Sequence, residues 1–311
     1  MMSEIVVGAY AALPTERPAQ ARFYYELAAR RLATGLEIPY VDALHEDVGW
    51  FAAQVQGRFR RSVVSAIPGT MKRVRWDPMF GLASPDEYER RAAVEWVNCI
   101  RRDVEDFNQR TGEESISYIQ IPSAPSIKAS ATAFQRSLGE LRATRAYHAE
   151  LVIEHCDAYS PVKVGEKRFL SLVAELAVAD DLDFVINWGR SAIEGHNVAK
   201  PREHIEILAE AKRLKGVVFS GVGAQASPWG RAWEDAHLPL STDEPTSLMT
   251  PDRVDECLAA AGEIAYKGVK VQVSAGADRN ERLACIESVV RRLRRAEIEQ
   301  SGWYTFQSAA W

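Results

Sequence analysis

Three ionisable side chains fall within four residues at Glu154-His155-Cys156-Asp157, the densest chemistry-bearing group in the chain. A carboxylate at such a point can act as a general base or as a metal ligand. In an extended segment Glu154 and Cys156 point one way while His155 and Asp157 point the other, so one subset must be structural. Glu154 is the first candidate for catalysis, with His155 and Asp157 as ligand-contacting candidates; the bland alternatives are a paired acid and a histidine satisfied by backbone. Asn187-Trp188-Gly189-Arg190-Ser191 joins an amide, an indole, a glycine hinge and a guanidinium, a set suited to orienting a polar or anionic ligand. Arg190 could instead pair with Glu194 four residues on. Glu37 either faces the same site or forms a buried ion pair beneath it. In Trp229-Gly230-Arg231-Ala232-Trp233-Glu234-Asp235-Ala236-His237, aromatic faces alternate with polar groups, the kind of surface on which sugar C–H groups stack while hydroxyls bond charged side chains. Trp233, Asp235 and His237 are therefore site candidates, although one or both tryptophans could simply pack the loop onto its support.

These residues need a scaffold that brings distant segments to one place. Short β-branched or apolar runs occur at 5–9, 36–39, 62–67, 115–121, 151–154, 183–187, 216–220 and 269–273. Between them lie segments of helical spacing, such as Val94, Val97, Ile100, Val104 and Phe107, or Leu283, Ile286, Val290 and Leu293. The strand runs are continuously apolar, as suits a parallel sheet covered by helices. Eight such units predict a single (β/α)8 TIM barrel over residues 1–311 rather than an open doubly wound sheet. Active groups of a barrel gather where strands end and the following loops begin, which selects Glu37, Ser123, Glu154, His155, Asp157, Asn187, Arg190, Ser220 and Ser274. Long loops are expected after strand 3 (69–83) and strand 7 (221–249), both candidate lids. Ser84-Pro85-Asp86-Glu87 and Thr250-Pro251-Asp252 read as helix starts, and Gly35 as a helix-terminating glycine. The arginines at 291, 292, 294 and 295 read as the solvated end of the last helix.

Composition narrows the function. The 38 basic and 43 acidic residues give a net charge of −5, no field for gripping a polyanion, so nucleic acid is not an expected partner. Four cysteines without a C-x-x-C pair suggest reduced thiols in a cytoplasmic protein, not a zinc finger or disulfide framework. The first residues carry an acid and read as no export signal, and no run of about 18 apolar residues predicts a membrane span. Gly221-Val222-Gly223-Ala224-Gln225-Ala226 formally fits a dinucleotide fingerprint, but Ser227-Pro228 follows where a helix should start. Apolar helix faces leave a homo-oligomer open.

The ordered signatures Val7-Gly8-Ala9-Tyr10, Gly35-Leu36-Glu37-Ile38-Pro39, Ile67-Pro68-Gly69-Thr70-Met71, Phe80-Gly81-Leu82-Ala83-Ser84, Ser123-Ala124-Pro125, Ile153-Glu154-His155-Cys156-Asp157, Ile186-Asn187-Trp188-Gly189-Arg190-Ser191, Phe219-Ser220-Gly221 and Trp233-Glu234-Asp235-Ala236-His237-Leu238-Pro239 resemble the DUF4862 family of uncharacterised bacterial proteins. More distantly the chain resembles the xylose isomerase-like barrels, whose sugar isomerases and epimerases commonly hold a divalent metal with acids and histidine from strands five to eight. Glu154 matches the first ligand position, but Asn187, Ser220 and Ser274 stand where an acid, a histidine and a second glutamate are usual. The resemblance thus implies an isomerase or epimerase of a sugar or sugar acid with an incomplete metal set, no metal ligand being assigned. In that reading Glu154 removes a proton beside a carbonyl, Glu37 or His237 returns one, Asn187 and Arg190 hold the developing oxyanion, and Trp188 and Trp233 form stacking walls. Glycoside cleavage and a non-catalytic sugar-binding barrel are the alternatives.

Overall fold

The computed structural model describes residues 3–308 except Glu113 and Asp180, and side chains as far as Ala296. Parallel strands β1 (Glu4–Val7), β2 (Gly35–Pro39), β3 (Ser62–Ser65), β4 (Ile116–Ile121), β5 (Glu150–His155), β6 (Phe184–Asn187), β7 (Leu214–Phe219) and β8 (Tyr266–Val269) pair in sequence order and close β8 onto β1. Around them run α1 (Arg17–Ala29), α2 (Val48–Val55), α3 (Ile67–Trp76), α4 (Glu87–Thr111), α5 (Ala131–Ala143), α6 (Leu172–Val178), α7 (Trp188–Gly195), α8 (Lys200–Glu210), α9 (Pro251–Ala261) and α10 (Arg279–Ser308). The expected TIM barrel is the observed fold.

The eighth strand differs from the sequence reading in a way that matters for the site. It occupies Tyr266–Val269, three residues earlier than expected, because Gly268 belongs inside it: a Cβ there would stand 2.7 Å from Val218 on the neighbouring strand. Glycine breaks the apolar run yet allows this close approach. Lys270, not Ser274, therefore stands at the end of β8.

Other expectations shift as well. The segment expected as a loop from Gly69 largely forms α3, with Pro68 preset in its first turn. Residues 220–250 hold neither helix nor named strand and return toward the barrel through the Gly221–Leu238 bridge. Thr250 caps α9 by accepting from Arg253 N, as expected. The cap of α4 is Asp86 rather than Ser84, since its carboxylate reaches both Tyr88 N and Glu89 N. Gly35 opens β2 instead of closing a helix; α1 ends at Ala29, and Arg31 takes the positive φ. The arginine run lies within α10 rather than at its end, where Arg292 pairs with Asp255 and Arg291 with Glu287.

Inside the barrel Val6, Val63, Val152, Val185, Val218 and Tyr266 form a sealed apolar plug. Each such side chain contributes roughly 1.5–3 kcal/mol by leaving water. The plug also sets polarity along the axis: the inward positions nearer the strand ends include Glu37, Ser65, Gln120, Glu154, Asn187, Ser220 and Lys270. No helix among the described residues is long and apolar enough to cross a membrane.

Candidate active site

Two ion pairs cross the mouth of the barrel. Lys270 Nζ lies 2.5 Å from Glu37 Oε1, with both side chains buried, and Tyr10 donates its hydroxyl to the same oxygen at 3.3 Å. Burial opposes the Lys270 ammonium, but Glu37 reverses this and raises its pKa above the ordinary lysine range. Gly8 makes room for the stem: a Cβ there would stand 3.1 Å from Lys270 Cγ. In the second pair Arg190 binds Glu154 through one guanidinium nitrogen and Asp235 through Nε at 3.0 Å. Glu154 also accepts from Ser65 Oγ at 3.4 Å and from Asn187 Nδ2 at 3.5 Å. Burial alone would lower the Arg190 pKa, yet Glu154 and Asp235 carry it well above the ordinary value, so the cation is permanent.

The local fold explains why Arg190 arrives there. Asn187 ends β6 and caps α7, its Oδ1 accepting from Arg190 N at 3.4 Å. This places Arg190 on the first turn, over the mouth. Gly189 acts here as a contact point rather than a hinge, since a Cβ would lie 2.5 Å from the Ser220 carbonyl oxygen.

Above the pairs opens a cleft of about 660 Å³ whose wall includes Tyr10, Lys167, Arg190, Trp229, Asp235 and His237. A smaller pocket of about 420 Å³ shares Tyr10 and reaches Glu37. His237 is held by one face only: its Nδ1 lies 2.9 Å from Ser220 Oγ and 3.2 Å from Asp235 Oδ1. Nε2 has no hydrogen-bond partner among the described residues. Because serine and aspartate meet the same ring nitrogen, this is not a serine-nucleophile triad, in which they would bond opposite nitrogens. Burial would raise the Asp235 pKa, but Arg190, His237 and Lys167 overturn that and hold it well below the usual carboxylate range. The backbone at His237 has φ 53°, a left-handed conformation that costs a non-glycine residue about 1 kcal/mol.

Several sequence-picked residues lie elsewhere. Glu154, expected as the proton-removing base, is wholly buried beneath Arg190. Trp188 does not form a stacking wall; it is fully buried in the main core beside Cys257 of α9. Trp233 stacks on His196 with ring centroids 4.7 Å apart, and Trp229 faces the cleft in its place. Asp157 accepts from the backbone of Lys167 at 2.8 Å and Arg168 at 3.1 Å, tying down the loop after β5. His155 points outward to Glu175 and Glu194. Arg190 leaves Glu194 to that histidine. Sequence reading missed Lys270, hidden by the shifted β8; Tyr10, hidden in a 3-10 turn after β1; and Lys167, carried by an irregular loop.

Comparison with known proteins matches residues 6–285 to the model of DUF4862, a domain of unknown function. The chain belongs to the DUF4862 family. The uncharacterised protein STM3670 of Salmonella typhimurium strain LT2 is 32% identical over 306 residues, covering 94% of this chain and 97% of its own length. Among solved structures, a D-tagatose 3-epimerase-like protein superposes with a TM-score of 0.61 at 13% identity, covering 95% of this chain and 99% of its own. An L-ribulose 3-epimerase gives 0.60 at 13% identity, over 96% and 97% of the two chains. The 3-keto-D-glucoside 4-epimerase of E. coli gives 0.56 at 12% identity, over 94% and 100%. The DUF4862 chain thus shares its barrel fold with these solved structures.

The metal implied by that fold class does not suit this mouth. Glu154 is engaged by Arg190, Asn187 and Ser65, and Glu37 by Lys270 and Tyr10. The β6 position offers an amide that donates toward Glu154, and the β8 position is an ammonium. Hard divalent cations require several free anionic or carbonyl oxygens, and the DUF4862 mouth presents its own cations where those would stand.

Proposed function

We propose that the chain is an isomerase or epimerase acting on a sugar or sugar acid by proton transfer beside a carbonyl. The observation that carries this reading is His237, whose Nδ1 bonds Ser220 and lies against the Asp235 carboxylate while the ring borders a cleft shared with Arg190 and Tyr10. A histidine oriented through one nitrogen can exchange a proton through the other. Arg190 offers fixed N–H donors and positive charge to the enediolate oxygen, with Glu154 and Asn187 holding it in place rather than touching substrate. Burial pushes the Tyr10 phenol pKa up, so its hydroxyl stays protonated, and the Glu37–Lys270 ion pair behind it holds it at the mouth. Trp229 supplies an aromatic wall. The fold shared with sugar epimerases supports the substrate class by analogy. Glycoside cleavage is less favoured, because Glu37, Glu154 and Asp235 are all engaged by cations.

The test is a panel of ketoses and sugar acids incubated with the protein in D2O and followed by proton NMR. Loss of a C–H resonance adjacent to the carbonyl is expected with at least one of them, reduced about 10²–10⁴-fold in His237→Asn. A substrate that binds in the cleft without exchanging a proton would replace this reading with a non-catalytic sugar-binding barrel.

A further inference from the structure

The outward face of β5 carries a cluster that the mouth does not use. His155 enters the layer between barrel and helices, where it meets Glu175 of α6, Glu194 of α7 and His204 of α8. His155 Nε2 lies 3.0 Å from Glu194 Oε2, and His204 Nε2 lies 3.5 Å from Glu194 Oε1. The donor atoms of His155, Glu194 and His204 all fall within 4.8 Å of one another. Each imidazole is turned by a partner on its other nitrogen: His155 Nδ1 is 2.7 Å from Glu175 Oε2, and His204 Nδ1 is 3.0 Å from Ser191 Oγ.

We propose that His155, Glu194 and His204 form a binding site for a divalent transition-metal ion of the zinc type, supported by Glu175 and Ser191. Zinc–nitrogen bonds of about 2.0–2.1 Å in a tetrahedron put neighbouring donor atoms about 3.3 Å apart, and each imidazole already lies at about that spacing from its own oxygen of Glu194, 3.0 Å for His155 and 3.5 Å for His204. Glu175 stands in the carboxylate–histidine relation that fixes the tautomer of a ligating imidazole and leaves Nε2 free to bind. Charge supports a cation as well. Glu175 and Glu194 bring two negative charges, among the described residues no lysine or arginine pairs with either, and a protonated His155 cancels only one. A divalent ion between neutral imidazoles cancels both. Two imidazoles with one carboxylate favour zinc, cobalt or nickel over magnesium or calcium. The Glu194 side chain is 14% exposed, which gives an ion a way in and leaves a fourth position open to water. Ala158 N donates to Glu194 Oε2 at 3.0 Å, so the ion would also brace the root of the loop that delivers Lys167 to the cleft.

The test uses the full-length protein, stripped with a chelator, dialysed and titrated with zinc chloride by calorimetry, with cobalt(II) absorption on the unaltered chain as a second readout. One zinc per chain, visible cobalt bands of a four-coordinate site and a raised Tm are expected. His204→Ala and Glu194→Gln should abolish the uptake, and Ser191→Ala should weaken it about 10–100-fold while preserving the ligands themselves. Glu154→Gln should titrate like the unaltered chain, because it lies on the other face of the strand. An unaltered chain that takes up no zinc and shows no cobalt bands overturns the proposal. So does uptake that survives both His204→Ala and Glu194→Gln, or that disappears in a Glu154→Gln chain whose urea unfolding shows it folded. If His204→Ala does not fold, Ser191→Ala and the cobalt spectrum still decide.

Discussion

Glu154 and His155 are neighbours in the chain, yet their side chains leave β5 on opposite faces and end in networks built from different partners. Inside the mouth, Glu154 and Glu37 meet Arg190 and Lys270, cations that keep their charge across the neutral range. Outside, Glu175 and Glu194 meet imidazoles: His155, whose proton they hold against burial up to a pKa of about 10, and His204, whose pKa burial lowers. The comparison teaches how one strand can separate two kinds of buried polarity. Permanent ion pairs fix the geometry of the mouth, whereas the imidazole–carboxylate contacts outside are those for which a bound cation is proposed.

Breaking the inner network should have the largest effect. Arg190→Met leaves Glu154 and the inner side of Asp235 without their guanidinium, and should cost about 3–5 kcal/mol in urea unfolding. Combining it with Glu154→Leu should recover much of that loss, since the stranded buried charge is what destabilises. Gly8→Ala is expected to cost about 1–3 kcal/mol by crowding the Lys270 stem, with the outer network untouched. Thr250→Ala, which removes only a helix cap remote from both networks, should cost about 1 kcal/mol and calibrate the others.

The pH dependence sharpens the same contrast. The folded Asp235 pKa is depressed, so its contribution is present above the unfolded value of about 3.9 and is lost as pH falls through the lower folded value. The stability gap between the unaltered chain and Asp235→Asn should therefore stay flat from neutral pH to about 4 and then close in acid, as read from urea midpoints. A gap that closed already near neutral pH would mean that Arg190 does not hold this carboxylate.

The barrel was legible because continuous apolar runs alternate with helical spacing, and both properties arise within short stretches of chain. Strand alternation alone also separates Glu154 from His155. What could not be read was pairing across the barrel. Glu37 left two readings open until Lys270 was found opposite it, and Lys270 was concealed because Gly268 interrupts the run that marks β8. Arg190 had an obvious partner four residues away in Glu194, but the caps and turns of α7 carry it to Glu154 and Asp235 instead. Trp188 looked like a site residue by position, although the first turn of α7 aims it into the core. Contacts made by irregular loops, such as Lys167 to Asp235 at 3.5 Å, leave no periodic signal.

The central claim is that the mouth moves protons with its own side chains, His237 foremost, and with its own cations in place of a metal. Solvent-deuterium incorporation into an active ketose or sugar acid, measured by NMR before and after exhaustive chelation and in His237→Asn, tests it directly. The account predicts exchange that survives chelation and collapses in the variant. Exchange that vanishes with chelator and returns with manganese, or that persists undiminished in His237→Asn, would contradict it.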